Sequence, residues 1–361
     1  MKKKLITAFI AFGVMVSMLL AGCAQSGKST SDTAAASTSN SPAASAEGKA
    51  PETTDITFFG VNDPQISVAQ IVADKMGYFK EEGLNVTNKF LLNTSEIAPL
   101  MANGQAKISS SNNYATISWV NNGAKIKFIA PTVNMGGTQW LLLRKGLTIK
   151  SAKDLEGLKM GEVPGSSQNV TFLNMCKATG IDPTKIKQLP LQFPDQLAAM
   201  ENGSIDIMAV PEPWATKAEA AGATLLASGT KSYVPGFEGD VDWCNMYAGI
   251  DVQEDFLKDN PETIRRILRA LNKANDYVVN NKDKTVEMLA EQFGLSVPDL
   301  TQIMGRNVYS FGVDDKFMKS TDDMAKFIFD QKITDKELAR NEYISFDLLK
   351  EAVPEAYTAT N

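Results

Sequence analysis

The sequence predicts an α/β protein of two lobes, each built on a largely parallel sheet. Three observations predict it. Short β-type runs alternate with helical runs at close spacing from Ile56 to Ile250. The alternation starts over at Gln139. About three hundred residues follow a low-complexity N-terminal stretch, enough chain for two lobes of ordinary size.

The chain opens with Lys2-Lys3-Lys4 and an apolar run from Leu5 to Leu20, the pattern of a secretory signal. The run closes on Leu20-Ala21-Gly22-Cys23, which resembles the bacterial lipobox. That likeness implies a signal peptide over residues 1–22, cleavage before Cys23 and diacylglycerol on the Cys23 sulfur. Residues 23–54 then form the lipidated cysteine and an Ala/Ser/Thr tether, too poor in large apolar groups to order itself.

The folded part begins near Asp55. Ile56–Val61 reads as a first strand, followed by the turn Asn62-Asp63-Pro64-Gln65 and a helix carrying Val68, Ile71 and Val72 on one side. Gly83 leads into a second strand at Asn85-Val86, Glu96 to Asn103 is a short helix, and Ala106 to Ser109 is a third strand. The stretch Ser110-Ser111-Asn112-Asn113-Tyr114 reads as a turn before a helix ending near Gly123, and Lys125 to Ala130 is a fourth strand. After Gln139–Arg144 and a short helix at Ser151–Glu156, Lys159 to Val163 enters the stretch Pro164-Gly165-Ser166-Ser167-Gln168-Asn169. This is a strand end, a glycine turn and a helix start. Ser166 or Ser167 can cap that helix, and its first amide N–H groups are ready donors to a carboxylate, sulfonate or ring acceptor. Pro194–Asn202 is a helix, Ile205–Val210 a strand ending in Pro211-Glu212-Pro213-Trp214, Ala215–Ala221 a helix, and Ala223–Ala227 and Met246–Ile250 strands. The remainder is mainly helical, led by Pro261–Val279 with its one-sided stripe of Ile264, Ile267, Leu268, Leu271, Ala274 and Val278.

The formal charge of −6 and the lack of a basic stripe argue against a nucleic-acid partner. The chain contains no histidine, which removes the commonest general base and metal ligand. Phosphate-loop, G-x-G-x-x-G and G-x-S-x-G patterns are absent too, so neither an enzyme, a metal nor a cofactor is expected. Cys176 and Cys244 leave a disulfide and two reduced thiols both open, with reduced thiols the expectation.

Five blocks, in order, carry a family likeness. They are Asp74 to Val86, Ala106 to Ala124, Ser151 to Lys159, Val163 to Val170, and Gly203 to Trp214 with its Glu212-Pro213-Trp214 ending. Together they resemble periplasmic binding proteins of type II fold, in the nitrate/sulfonate/taurine and thiamine-pyrimidine branch of ABC-transporter substrate-binding lipoproteins. The resemblance covers roughly Ile56 to Asn280. It implies two lobes joined by crossover segments near Gly136–Trp140 and Asn245–Ala248, with residues 55–137 plus 248–361 in lobe one and 138–247 in lobe two. It also implies that the lobes close on a small molecule for delivery to a permease and its ATPase; with the lipobox at Cys23, a lipid-anchored monomer on the extracytoplasmic face of a bacterial membrane is expected.

Ligands of open α/β sheets lie beyond the carboxyl ends of strands. The residues expected there are Asn62, Asp63, Gln65, Ser110, Ser111, Asn112, Tyr114, Ser166, Ser167, Gln168 and Glu212. Tyr114, Trp140, Trp214 and Trp243 are expected to stack on a ring or cage an ammonium. No lysine or arginine occurs in these turns, whereas Asp63 and Glu212 do. A zwitterion presenting an amine, or a neutral polar heterocycle, fits that better than nitrate. Two further readings use the same features: a tethered extracellular sensor, and a metabolic enzyme of the same fold.

Overall fold

The computed structural model describes residues 49–164 and 166–360. The signal peptide, Cys23 and most of the tether lie outside the described residues, as does Gly165. Among the described residues no helix is long and apolar enough to cross a membrane.

The strands are β1 Asp55–Val61, β2 Asn85–Leu91, β3 Ile108–Asn112, β4 Ile126–Asn134, β5 Gln139–Leu143, β6 Lys159–Glu162 and β7 Lys187–Pro190. They continue as β8 Ile207–Pro211, β9 Thr224–Ala227, β10 Lys231–Ser232, β11 Gly239–Asp240, β12 Tyr247–Gln253 and β13 Val308–Tyr309. They form two sheets. The first runs β13-β4-β12-β3-β1-β2, and the second β11-β10-β9-β5-β8-β6-β7. In each, a parallel trio (β2-β1-β3 and β7-β6-β8) is bordered by an antiparallel strand that arrives from the other sheet, β12 in the first and β5 in the second, and the strands beyond it pair antiparallel too, so the sheets are mixed and not largely parallel as expected.

The chain leaves the first sheet after Asn134 and enters the second at Gln139; it returns between Asp240 and Tyr247. The two crossings lie side by side. The Met135 amide donates to the Met246 carbonyl at 2.7 Å, and the Gly229 amide to the Gly136 carbonyl at 3.0 Å. The amides of Trp243 and Cys244 both donate to the Gly229 carbonyl. Only glycine fits here: a Cβ on Gly136 would stand 2.1 Å from the Cys244 carbonyl oxygen, and one on Gly229 2.4 Å from the same atom. Cys176 and Cys244 are both buried free thiols.

The apolar patterns explain the packing. The stripe on helix Pro261–Asn280 is buried at every predicted position and packs with helix Val68–Lys75 in the core of the first sheet. Two smaller cores cover the faces of the second sheet, one around Leu141, Phe172 and Met175, the other around Trp140, Met208 and Val210. One strand departs from expectation. β3 runs on through Asn112, so Ser110 and Ser111 are strand residues and not turn residues. Their hydroxyls find buried partners, Ser110 donating to Gln70 Oε1 at 2.8 Å and Ser111 to the Asp251 carboxylate, which lets a serine run occupy an interior strand.

Candidate functional site

The carboxyl ends of β1, β3, β6 and β8 meet at the seam between the two sheets. Side chains of the two halves face one another across it. Gln65 Nε2 donates to the Glu212 backbone carbonyl at 3.5 Å. The Arg306 guanidinium donates to Glu212 Oε1 at 2.5 Å and to Glu219 Oε2 at 2.9 Å. The Tyr114 hydroxyl is pushed up to about 12 by burial, with the charge of Glu162 on the opposite side adding to the effect.

From the first sheet, the turn after β1 places Asp63 and Gln65. Asp63 Oδ1 accepts the amides of Gln65 (2.9 Å) and Ile66 (2.6 Å), a side chain closing its own turn. Burial raises its carboxyl to about 6, against the pull of those two bonds. The carboxylate also lies close enough to Tyr309, whose hydroxyl donates to the Pro64 carbonyl, to raise that phenol further. Gln65 is 1% exposed and its Oε1 has no partner. Asn62 faces elsewhere: it exchanges hydrogen bonds with Gln292 and lines a side cavity of about 420 Å³ with Phe90, Leu91, Leu92 and Glu96.

From the second sheet, Gln139 gathers the glycine-turn stretch. Its Oε1 accepts Ser167 Oγ at 3.3 Å and Gln168 Nε2 at 2.7 Å. Ser167 stands at the N-cap of helix Gln168–Thr179, but its side chain does not cap it. The Asn169 and Val170 amides are taken by the carbonyls of Ser166 and Ser167, so the expected row of open amides is not formed. Instead Asn169 Nδ2 donates to Glu162 Oε2 at 2.9 Å, while Asn169 Oδ1 and Ser166 Oγ are buried without partners.

Several expected residues have other work. Ser111 and Thr116 both donate to Asp251, a wholly buried carboxylate pushed up to about 7 by desolvation. Asn112 caps helix Asn113–Asn121 through the Ala115 amide. The four expected aromatics are divided among three cores. Tyr114 belongs to the first-sheet core; Trp140 and Trp214 pack with Met208 and Val210 on one face of the second sheet; Trp243 sits with Phe172 on the other. Indole rings bury large apolar area, and here that area goes into the cores. Lys217 lies 4.5 Å over the Trp214 ring, and Glu212 pairs with Arg306 and the Thr216 hydroxyl, not with Lys217. The Arg306 guanidinium also stacks 4.9 Å over Trp140.

The sequence reading missed Gln139, Glu162, Asn169, Arg306 and Tyr309. Asn169 stood inside the highlighted stretch, and Gln139 opened a recognised strand. Arg306 had no local signal, because it follows a helix end more than ninety residues beyond Glu212.

Two α/β sheets exchanging one strand each, with polar strand ends meeting at a seam, define the architecture of a type II periplasmic binding protein. The chain belongs to the NMT1/THI5-like family, whose model matches residues 66–285. It is 23% identical over 224 residues to a Bacillus subtilis (strain 168) protein named for binding aliphatic sulfonates, covering 60% of this chain and 62% of that one. It is 24% identical over 219 residues to a Saccharomyces cerevisiae 4-amino-5-hydroxymethyl-2-methylpyrimidine phosphate synthase, covering 58% of this chain and 62% of that one. This chain thus spans about three fifths of the length of these two relatives. Among solved structures, the periplasmic aliphatic sulphonate binding protein SsuA from Escherichia coli superposes with a TM-score of 0.70 at 15% identity, over 81% of this chain and 92% of SsuA.

Proposed function

We propose that this protein is the extracytoplasmic solute-binding subunit of an ABC importer. Lobe one comprises residues 55–137 plus 248–361 and lobe two residues 138–247. The lobes close on one small organic molecule, a taurine-like or sulfonate zwitterion or a thiamine-pyrimidine-like heterocycle, and the closed form is what the permease and its ATPase read. Cys23 carries the lipid that holds the protein, a monomer, at the membrane.

One observation supports this reading above the others: buried polar atoms without protein partners, Gln65 Oε1 on one side and Ser166 Oγ and Asn169 Oδ1 on the other, border the seam. Unpartnered buried polar atoms are uncommon in folded proteins, and a ligand is a natural source of their missing bonds. The family membership and the relative named for aliphatic sulfonates support it too. The absence of histidine from the sequence favours capture over catalysis.

Calorimetric titration with taurine, alkanesulfonates, nitrate and thiamine pyrimidine tests the capture function. Saturable one-to-one binding is the expected result, and turnover of a bound compound into product would replace capture by catalysis. Mass spectrometry of the membrane-extracted protein tests the anchor, which should appear as diacylglycerol on Cys23.

A further inference from the structure

We infer that the seam takes a ligand bearing a protonated nitrogen, whose N–H groups are received by Gln65 and Asn169 and whose charge is balanced by Asp63 and Glu162. The inference rests on the solute-binding reading and narrows its ligand class.

The argument starts from two side-chain amides, one on each side of the seam. An amide can present either its carbonyl or its NH₂, and its neighbours decide which. For Gln65 the neighbour is the Glu212 backbone carbonyl, which only accepts, so Nε2 must turn to it and Oε1 is left facing away. For Asn169 the neighbour is the Glu162 carboxylate, again an acceptor, and Oδ1 is left. Both leftover atoms are buried acceptors without donors; beside them the Ser166 hydroxyl, which can donate or accept, and the Trp140 indole N–H are also without partners, so an anionic group could satisfy those two but neither amide carbonyl. A sulfonate or nitrate brings only more acceptors. An ammonium, amidine or protonated ring nitrogen brings the donors that both sides lack.

The charges agree. Four carboxylates stand at or beside the seam: Asp63, Glu162, Glu212 and Glu219. Arg306 is the guanidinium that reaches it, and it is already shared by Glu212 and Glu219 and laid on Trp140. An anionic ligand seeking Arg306 would have to displace Glu212, a carboxylate 1% exposed and tied to the Thr216 amide and hydroxyl. Asp63, by contrast, has no cationic partner among the described residues, and burial is what holds its carboxyl up at about 6. A cationic ligand supplies that counter-charge.

The test uses pairs that differ only in the nitrogen: taurine against 2-hydroxyethanesulfonate, and an aminomethylpyrimidine against the hydroxymethylpyrimidine, with nitrate and ethanesulfonate as anions lacking nitrogen donors. Calorimetry on the wild-type protein should show the nitrogen-bearing member of at least one pair binding ten times more tightly than its partner or more. Gln65→Met and Asp63→Asn should each remove about tenfold of that preference, with melting temperatures reported alongside to exclude misfolding. If the anions or hydroxyl partners bind as tightly as the amines, the charge assignment is wrong while solute capture stands. If no compound in the set binds, both fall.

Discussion

Glu212 of the second sheet and Arg306, which follows a helix packed on the first, form an ion pair across the seam, 2.5 Å from oxygen to nitrogen, with the carboxylate fully buried and the guanidinium partly so. The guanidinium also holds Glu219 at 2.9 Å, so one side chain from the C-terminal segment fastens two carboxylates of the other half. Removing one member of a buried pair strands the other charge and costs more than the pair contributes.

Arg306→Ala should therefore either loosen the seam or destabilise the fold by about 3 kcal/mol. Solution X-ray scattering and urea denaturation, measured together on the ligand-free protein, read both. A variant with unchanged radius of gyration and unchanged urea midpoint would show that the pair does not hold the halves together.

Asp251 sets a pH dependence. Its carboxyl is raised by burial to about 7 in the folded state, against about 3.9 in an unfolded chain. Between those values the folded protein keeps a proton that the unfolded chain has released, so this group's contribution to stability falls as pH rises from about 4 to about 7. Asp251→Asn should be more stable than wild type at pH 7.5 by about 2 kcal/mol and lose that advantage at pH 4.5. A difference that does not change with pH would show that Asp251 is not protonated in the fold.

Trp214→Ala should act on stability and hardly on capture. The ring is half-buried against the outer core of the second sheet with Lys217 over it, so truncation should cost roughly 2–4 kcal/mol. Ligand affinity should stay within twofold of wild type. A tenfold loss of affinity at unchanged melting temperature would return Trp214 to the ligand wall.

Gly136→Ala tests the crossings. The added methyl meets the Cys244 carbonyl at 2.1 Å, backbone against backbone, and should lower stability by roughly 1–3 kcal/mol. Gly146→Ala is a poor control, because its φ of +76° is itself unfavourable to alanine. Gly305, with open space at its Cβ, is the suitable one.

Much of the architecture was legible because periodicity reports burial directly. The stripe of Ile264, Ile267, Leu268 and Leu271 and the apolar run of β1 each have one buried solution, and the structure adopts it. β3 was cut short because Ser110 and Ser111 look like turn residues; nothing local shows that Gln70 and Asp251 wait inside to receive their hydroxyls. Lys187–Pro190, Lys231–Ser232, Gly239–Asp240 and Val308–Tyr309 were missed because short polar strands at or near sheet edges carry little pattern. The turns bordering the seam were visible as strand ends, and Gln65 and Glu212 meet there. Arg306 was not visible, since a long-range charge pair leaves no spacing in the sequence, and the tryptophans were assigned to a ligand when cores had the stronger claim on their area.

The paired crossings have a mechanical consequence. Two strands laced together through Met135, Met246 and Gly229 act as a two-ply strap. Such a strap resists stretching and sideways slip but yields to twist along its length, so relative movement of the halves reduces to a rocking motion about one line. Any change in the angle between the halves is then governed by the backbone torsions of a few residues near 135–138 and 241–246.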